Sequence, residues 1–330
     1  MIYIESKSFD PHFNLALEQY VFDNMDRSKE YFLLWQNANT IVVGKHQNTI
    51  AEINQKFVDE HHISVVRRLS GGGAVYHDLG NLNFTIIVSQ TNEMADFEFG
   101  RFCQVVVDAL GELGVKAEIN GRNDITIDGK KFSGNSQYMK QGRIMHHGCI
   151  LYDADLTILS KALKVSKDKI ASKGIKSVVS RVTNVLACME PKRSLEEFKQ
   201  ALVGAMAKRE GITTYELQAQ DLKVIKQLQT ECYDTWEWNY GRSPQYDIVK
   251  ERYVPNFGKL ELHMNVKNGI IEKFDIFGDY FGNGDKAELS AILQGVQCNQ
   301  EALDKALEAV PLEKYLHNMT KETFIAAILA

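Results

Sequence analysis

None of the five cysteines (Cys103, Cys149, Cys188, Cys232, Cys298) stands in a CxxC pair, and their number is odd. That spacing excludes a zinc ribbon and argues against a disulfide framework. Long apolar runs are missing as well. No window approaches the ~18 uninterrupted apolar residues of a membrane span, so no membrane association is expected. The opening stretch Met1 to Lys7 has no cationic head before an apolar run and is expected to be folded structure rather than a signal peptide. There is no excess of positive charge: the net charge is −5, which gives no reason to expect a nucleic-acid partner. Internal repeats and low-complexity tracts are also lacking. The expected address is the cytoplasm. What is present is an ordinary globular composition over 330 residues, 44% hydrophobic and 25% charged, long enough for about two domains.

Asp10-Pro11 predicts a helix start, with a capping carboxylate before a proline at the first helical position. Phe13, Leu17, Tyr20 and Val21 then share one face. Leu33 to Val43 reads as a strand, Ser64 to Leu69 as a short strand, and Asn81 to Val88 as another. Helical spacing runs from Phe97 to Leu113 and stops at Gly114. Ile125 to Ser133 reads as a hairpin and Gly148 to Asp153 as one more strand. Leu156 to Leu163 and Ser194 to Arg209 read as helices. After the aromatic cluster Trp236, Trp238 and Tyr240, the alternation of Leu260, Leu262, Met264 and Val266 leads into Asn268-Gly269, a strong hairpin signal. A second strand to Phe277 follows, and helices begin near Glu288, Gln300 and Lys321. The pattern predicts a large α/β unit over residues 1–244 and a small unit over 245–330.

The most informative stretch runs from Arg67-Arg68-Leu69-Ser70 through Gly71-Gly72-Gly73 to Ala74-Val75-Tyr76-His77-Asp78. Successive glycines let backbone N–H groups approach an anion, and arginines pair bidentately with carboxylate or phosphate. No Gly-Lys-Ser/Thr follows, so this is not a Walker loop. A strand pattern follows rather than a helix, so it is not a dinucleotide fingerprint. The alternative is a flexible turn with solvent-facing arginines. Asn81, Asn83 and Thr85 share one face of the next strand, which suits a polar ligand beside the loop.

The second constellation surrounds Lys131. A two-residue turn at Asp128-Gly129 pairs Ile127 with Lys130, Thr126 with Lys131, Ile125 with Phe132 and Asp124 with Ser133. In that register Asp124, Thr126, Lys131 and Ser133 lie on a polar face, while Ile125, Ile127 and Phe132 face a core and Lys130 sits at its rim. The alternative is a pair of ordinary surface lysines. Adjacent histidines, His61-His62 and His146-His147, point to opposite faces of a strand and chelate poorly, so no structural metal is expected.

The segment from Arg67 to Phe84 closely resembles the signature of lipoate–protein ligases, within the biotin/lipoate ligase superfamily. So do Gly121 to Asp124, Lys131 to Asn135, His146-His147-Gly148, and Lys173 to Asn184. The likeness continues at Asp10 to Glu18, Trp35 to Asn48 and Trp236 to Asn239, and so spans most of the chain in family order. It implies an α/β (α+β) catalytic domain with a mixed sheet and a small α/β C-terminal accessory domain. It also implies ATP-dependent activation of lipoate to lipoyl-AMP, with transfer to a lysine of an acceptor such as a glycine-cleavage H protein or a dehydrogenase E2 lipoyl domain. By resemblance, Lys131 is the catalytic lysine, contacting both the lipoate carboxylate and the α-phosphate. Arg68, Gly73, Ala74, Val75, Tyr76, Asn81, Asn123, Asp124, Val178 and Ser180 are expected at ATP or the adenylate. Ser70, Gly72, His77 and Cys149 are expected at lipoate; where relatives often carry threonine, this chain has Cys149. Mg²⁺ would arrive with ATP, near Asp124, and the enzyme is expected to be monomeric.

The nearest rival is an octanoyl or lipoyl transferase of the same fold, which carries the acyl group on a cysteine near the position of Asn123. Cys149, next to a histidine pair, invites the same suspicion, although its apolar strand favours a buried structural thiol. Biotin ligase fits less well because its glycine motif differs. A non-enzymatic adenylate- or nucleic-acid-binding module remains a third reading, and loss of the Lys131 position would favour it.

Overall fold

Period-two alternation produces the strands, and the side each residue takes decides what covers it. The computed structural model describes residues 1–90, 99–121, 123–163, 182–240, 248–267 and 269–329. Eight strands form one mixed sheet, in the spatial order β11 (Thr213–Thr214), β1 (Ile2–Glu5), β2 (Tyr31–Trp35), β6 (Asn81–Ser89), β10 (Arg143–Leu151), β9 (Lys130–Lys140), β8 (Asp124–Ile127) and β7 (Glu118–Asn120). β1 runs parallel to both neighbours and the other pairings are antiparallel. Along β6, Leu82, Phe84 and Ile86 enter the core beneath helices α2 (Gly100–Glu112) and α3 (Leu195–Glu210). On the other side of the sheet, Leu33, Trp35, Ile87 and Met145 pack with Leu15, Leu17, Val21 and Phe22 of α1 (Pro11–Asp23). Asp10 caps α1 as expected, its carboxylate accepting from the His12 amide at 2.9 Å.

The stretch from Leu33 to Val43 is two strands, not one. β2 ends at Trp35, and β3 (Thr40–Val43) belongs to a second sheet, ordered β4 (Ser64–Arg67), β3, β5 (Val75–His77). The break has a cause: the Asn14 side chain holds Gln36 O at 2.8 Å and Asn37 Oδ1 at 3.0 Å, while the Ala38 amide bonds Phe9 O. The helix expected from Phe97 runs from Gly100 to Glu112, and Phe97 itself lies outside the described residues.

A third sheet, β12 (Ile248–Val254), β13 (Gly258–Lys267) and β14 (Ile270–Gly278), buries Leu260, Leu262 and Met264 against the C-terminal helices α4 (Lys286–Leu293), α5 (Gln300–Ala306) and α6 (Lys321–Leu329). The expected boundary at residue 244 lies outside the described residues. Past β14 the chain crosses to the larger unit. The Gly278 amide bonds His46 O at 2.9 Å, Tyr280 stacks on the His46 ring at 4.5 Å, and Phe281 joins the main core beside Phe99.

Two predictions follow from this packing. Phe281→Ala removes a large buried ring from the junction and is expected to cost about 3–5 kcal/mol in chemical denaturation. A loss below about 1 kcal/mol would show that the crossing segment is not part of the core. The second concerns acid. Burial holds the imidazoles of His46 and His77 at about 3, assisted by Lys45 and Arg68 respectively, and holds His146 well below its ordinary value. The unfolded chain would protonate all three below pH ~6.5, so stability falls as pH drops from there toward about 3. His46 and His77 are each expected to cost roughly 2 kcal/mol at pH 5. Urea midpoints that stay flat between pH 7 and pH 5 would contradict this.

Candidate functional site

β4 and β5 flank β3 on opposite sides, so residues 68–74 must pass over the end of β3. Gly44 lies beneath that crossing. A Cβ there would come within 2.0 Å of Gly72 O, so a side chain at this position would push the loop away. The two arginines divide their work. Arg67 points its guanidinium at the carbonyls of Gly44 (2.8 Å), Gln47 (2.7 Å) and Trp238 (2.9 Å) and at Thr49 Oγ1 (2.6 Å). It is a structural clamp and not an anion ligand, which corrects the expectation that both arginines serve the loop. Arg68 faces inward as well. Its Nη2 donates to Gly71 O (2.7 Å) and Gly73 O (2.9 Å), its Nη1 to Val42 O (3.3 Å), and its Nε to Ser70 Oγ (3.1 Å). Burial pulls the Arg68 pKa down to about 10, partly offset by Cys149 and Glu18, so it keeps its charge at neutral pH.

The loop is therefore not a floppy turn. Because a trans peptide sets its C=O and N–H in opposite directions, turning Gly71 O and Gly73 O onto Arg68 turns the amides of Gly72 and Ala74 the other way. The Gly72 amide meets Tyr280 O at 3.2 Å, and a Cβ on Gly71 would lie 2.2 Å from that same carbonyl. Beyond the loop, Val75, Tyr76 and His77 pair with β3 as a strand. Tyr76 is buried, with its hydroxyl on Asn39 Oδ1 at 3.0 Å.

The Asp128-Gly129 turn forms with both φ angles positive, as a two-residue hairpin turn requires. Ile127 pairs with Lys130 and Thr126 with Lys131 as expected. A β-bulge then shifts the register, so that Ile125 pairs with Ser133 and Asp124 with Gly134. Ser133 consequently leaves the polar face of Lys131 and takes a hydrogen bond from the Asn135 side chain instead, at 3.4 Å. Both Phe132 and Ser133 are buried, which a strict alternation would not allow. Asp124 still meets Lys131: Nζ lies 2.6 Å from Oδ1, with both side chains a little over one-third exposed. Lys131 Nζ also rests on Gly134, 2.9 Å from where a Cβ would be.

Ladder partners then line up across five strands on this face: Asp124, Gly134, Cys149, Asn83 and Trp35. The neighbouring row holds Ser136, His147 and Thr85. The row connects to the loop, since Ser136 Oγ donates to Gly71 O at 2.8 Å. Cys149 is not fully buried, contrary to the structural-thiol expectation, because the residue beside it is the side-chain-free Gly134; its Sγ lies 3.7 Å from Gly134 O. Asn123 clamps Asn135, its Nδ2 donating to Asn135 O at 2.6 Å. Near the loop, Asn81 Nδ2 donates to Asn83 Oδ1 at 3.0 Å, and Asn37 Nδ2 lies 3.3 Å from His77 Nδ1. His77 Nε2, Asn81 Oδ1 and Asn83 Nδ2 are buried with no hydrogen-bond partner, a set of donors and an acceptor suited to a polar ligand.

Val178 and Ser180 lie outside the described residues. The chain re-enters at Val182, which bridges Lys131, and the Thr183 amide bonds Lys131 O at 2.9 Å. Sequence reasoning missed Ser136 and Glu18, which reach the site through strand pairing and α1 packing and carry no local signal. It also missed Tyr280, which comes from the far end of the chain. His146 and His147 do face opposite sides: His146 stacks on Phe102 at 4.8 Å, and His147 lies on the Lys131 face. Among the described residues no cluster of three or more His, Cys, Asp or Glu side chains could hold a metal.

Two family models match the chain: the lipoyl protein ligase A/B catalytic domain over residues 10–207 and the bacterial lipoate protein ligase C-terminus over residues 243–328. The chain is 44% identical over 332 residues to lipoate-protein ligase LplJ of Bacillus subtilis (strain 168), covering 99% of this chain and 100% of that one. It is 41% identical to lipoate–protein ligase 1 of Staphylococcus aureus (strain Mu50), over 96% of each. Among solved structures, P. falciparum LipL1 in complex with lipoate superposes with a TM-score of 0.82 at 25% identity, over 99% of this chain and 98% of that one. A lipoate-protein ligase A bound with ATP gives 0.61 at 26% identity, over 73% and 98%. A glycine loop pinned above a lysine-bearing sheet face, and two family models that together span most of the sequence, lead to one assignment: the chain belongs to the lipoate–protein ligase family.

Proposed function

We propose that this protein activates lipoate with ATP to lipoyl-AMP and transfers the lipoyl group to a lysine of an acceptor protein. The observation that carries the reading is the placement of Lys131: a half-exposed ammonium on the sheet face whose Ser136 holds the glycine loop. The chemical difficulty is electrostatic. A carboxylate must approach the α-phosphate of ATP, and two anions repel. A cation between them offsets that repulsion and stabilises the charge that grows on the phosphate oxygens. Asp124 keeps the ammonium oriented in the meantime. An ion pair this exposed is worth at most about 1 kcal/mol, so incoming anions can displace Asp124 from Lys131 at little cost.

Arg68 acts from behind the loop, holding Gly71 O and Gly73 O so that the Ala74 amide turns outward, while the Gly72 amide is held by Tyr280 O. The orphaned polar atoms of His77, Asn81 and Asn83 suit the substrate side of the same pocket. Asn123 shapes one wall through Asn135. Mg²⁺ carried by ATP would screen the departing pyrophosphate, and the Asp124 carboxylate would be available to hold it. Lipoyl-AMP is a mixed anhydride that water destroys, so the acceptor amine must attack it inside a sheltered site.

Acceptors of the glycine-cleavage H protein or E2 lipoyl-domain type are part of the proposal. One structural neighbour is an archaeal bipartite lipoate protein ligase described with its E2 lipoyl domain, at 27% identity and a TM-score of 0.65. A cytoplasmic monomer built from a catalytic unit to about residue 244 and an accessory unit after it completes the reading. Among the described residues no helix is long and apolar enough to cross a membrane. Thioester transfer has less support, since Asn123 stands near the position where some of the rival enzymes place their cysteine.

Incubation with lipoate, ATP, Mg²⁺ and apo-H protein is expected to add one lipoyl mass to the acceptor, read by intact-mass spectrometry. The same gain without ATP, from an acyl thioester, would favour the transferase. Lys131→Ala is expected to lower lipoate-dependent ATP–pyrophosphate exchange by at least about 10²-fold while leaving the melting temperature close to wild type. Exchange within a few-fold of wild type would remove Lys131 from the chemistry.

A further inference from the structure

Arg68 is a buried cation, and among the described residues no carboxylate reaches it directly; its donors go to three carbonyls and one hydroxyl. Glu18, on α1, is a buried carboxylate 2% exposed, with no arginine or lysine in ion-pair range among those residues. Leaving either charge alone inside a protein would be costly. The two are joined by a single hydrogen-bonded chain. Arg68 Nε donates to Ser70 Oγ at 3.1 Å, Ser70 Oγ lies 2.5 Å from His147 Nε2, and His147 Nδ1 lies 3.0 Å from Glu18 Oε1.

The two ends of this chain have a fixed polarity: Arg68 can only donate, so Ser70 Oγ accepts from it, and the Glu18 carboxylate can only accept, so His147 Nδ1 donates to it; between Ser70 Oγ and His147 Nε2 either atom can be the donor. From the other side, Trp35 Nε1 donates to Thr85 Oγ1 at 2.9 Å and Thr85 Oγ1 donates to Glu18 Oε1 at 2.5 Å. Two donor chains thus converge on one carboxylate.

We propose that Glu18 and His147 are positioning residues for adenylate formation: acting through Ser70, they fix Arg68 and so hold the glycine loop in the shape that receives the nucleotide phosphates. Ser70 immediately precedes the loop, Arg68 holds the loop at Gly71 and Gly73, and Ser136, the ladder partner of His147, holds Gly71 O from the sheet. If the chain breaks, Arg68 loses both its orienting acceptor and its remote counter-charge, and the loop loses its inward anchor at Gly71 and Gly73. A purely structural role would look different, because it would weaken the fold and depress every step together.

The inference rests on the proposed function, and the experiment separates the two. In the full-length protein, Glu18→Gln removes the charge but keeps an acceptor, His147→Phe breaks the chain, and Ser70→Ala removes the joining hydroxyl. His147→Gln can bridge Ser70 and Glu18 with its amide. In lipoate-dependent ATP–pyrophosphate exchange, the first three are expected to raise KM for ATP about tenfold, equivalent to roughly 1.4 kcal/mol, with kcat within about threefold. In Glu18→Gln and His147→Phe, transfer from added lipoyl-adenylate to apo-H protein should stay within about twofold, and His147→Gln should recover most of the ATP affinity. The inference is overturned if KM for ATP does not move in Glu18→Gln and Ser70→Ala. It is equally overturned if exchange and transfer fall together with melting temperature and the glutamine variant restores nothing. Absence of exchange in the wild-type protein would instead sink the proposed function.

Discussion

Three consecutive glycines have almost no conformational preference of their own, and the site depends on something else giving them a shape. That something is the inward-facing guanidinium of Arg68, which draws Gly71 O and Gly73 O to one side. A flexible loop would have to be ordered by its ligand at the ligand's expense in affinity. A loop already held in place leaves the binding energy for orienting carboxylate and phosphate. The cost lies in burying a cation, and the surrounding architecture answers it with carbonyls, a hydroxyl and the distant carboxylate of Glu18.

The same loop is where the C-terminal unit meets the larger one. Tyr280 offers its carbonyl to the Gly72 amide, Asn283 takes the Met139 amide with its side chain, and Phe281 lies in the core of the larger sheet. The C-terminal unit is thus more than an appended domain. In this arrangement its crossing segment forms one wall of the glycine loop, and the lack of a side chain at Gly71 is what lets Tyr280 come so near.

Much of the fold was legible because its signals are local. Asp10-Pro11 names a helix start wherever it occurs, Gly114 stops α2, Asp128-Gly129 makes its turn, and the alternation of Asn81 to Thr85 with Leu82 to Ile86 assigns two faces of one strand. The errors share a cause. β2 and β3 read as one strand because nothing within Leu33 to Val43 reveals that Asn14, on another element, pulls the chain away at Gln36. The hairpin register slipped by one because a bulge costs only one unpaired residue and leaves no mark in the local alternation. Arg67 and Arg68 are adjacent and chemically identical, yet one clamps Trp238 and Thr49 while the other shapes the loop.

By itself, the sequence determined which residue types were available and which periodicities they would follow: a cationic glycine loop before a polar strand face, a lysine after a tight turn, and a second unit begun by a hairpin. Those are properties of neighbours along the chain, where backbone geometry and side-chain alternation act directly. Only the tertiary structure decided which arginine faces the loop, that Cys149 stays partly uncovered beside Gly134, that Ser136 ties the lysine-bearing sheet to Gly71, and that Glu18 balances Arg68 from another helix. Each of these is a contact between segments far apart in sequence. Its partner is chosen by strand order and helix packing, which no local pattern encodes.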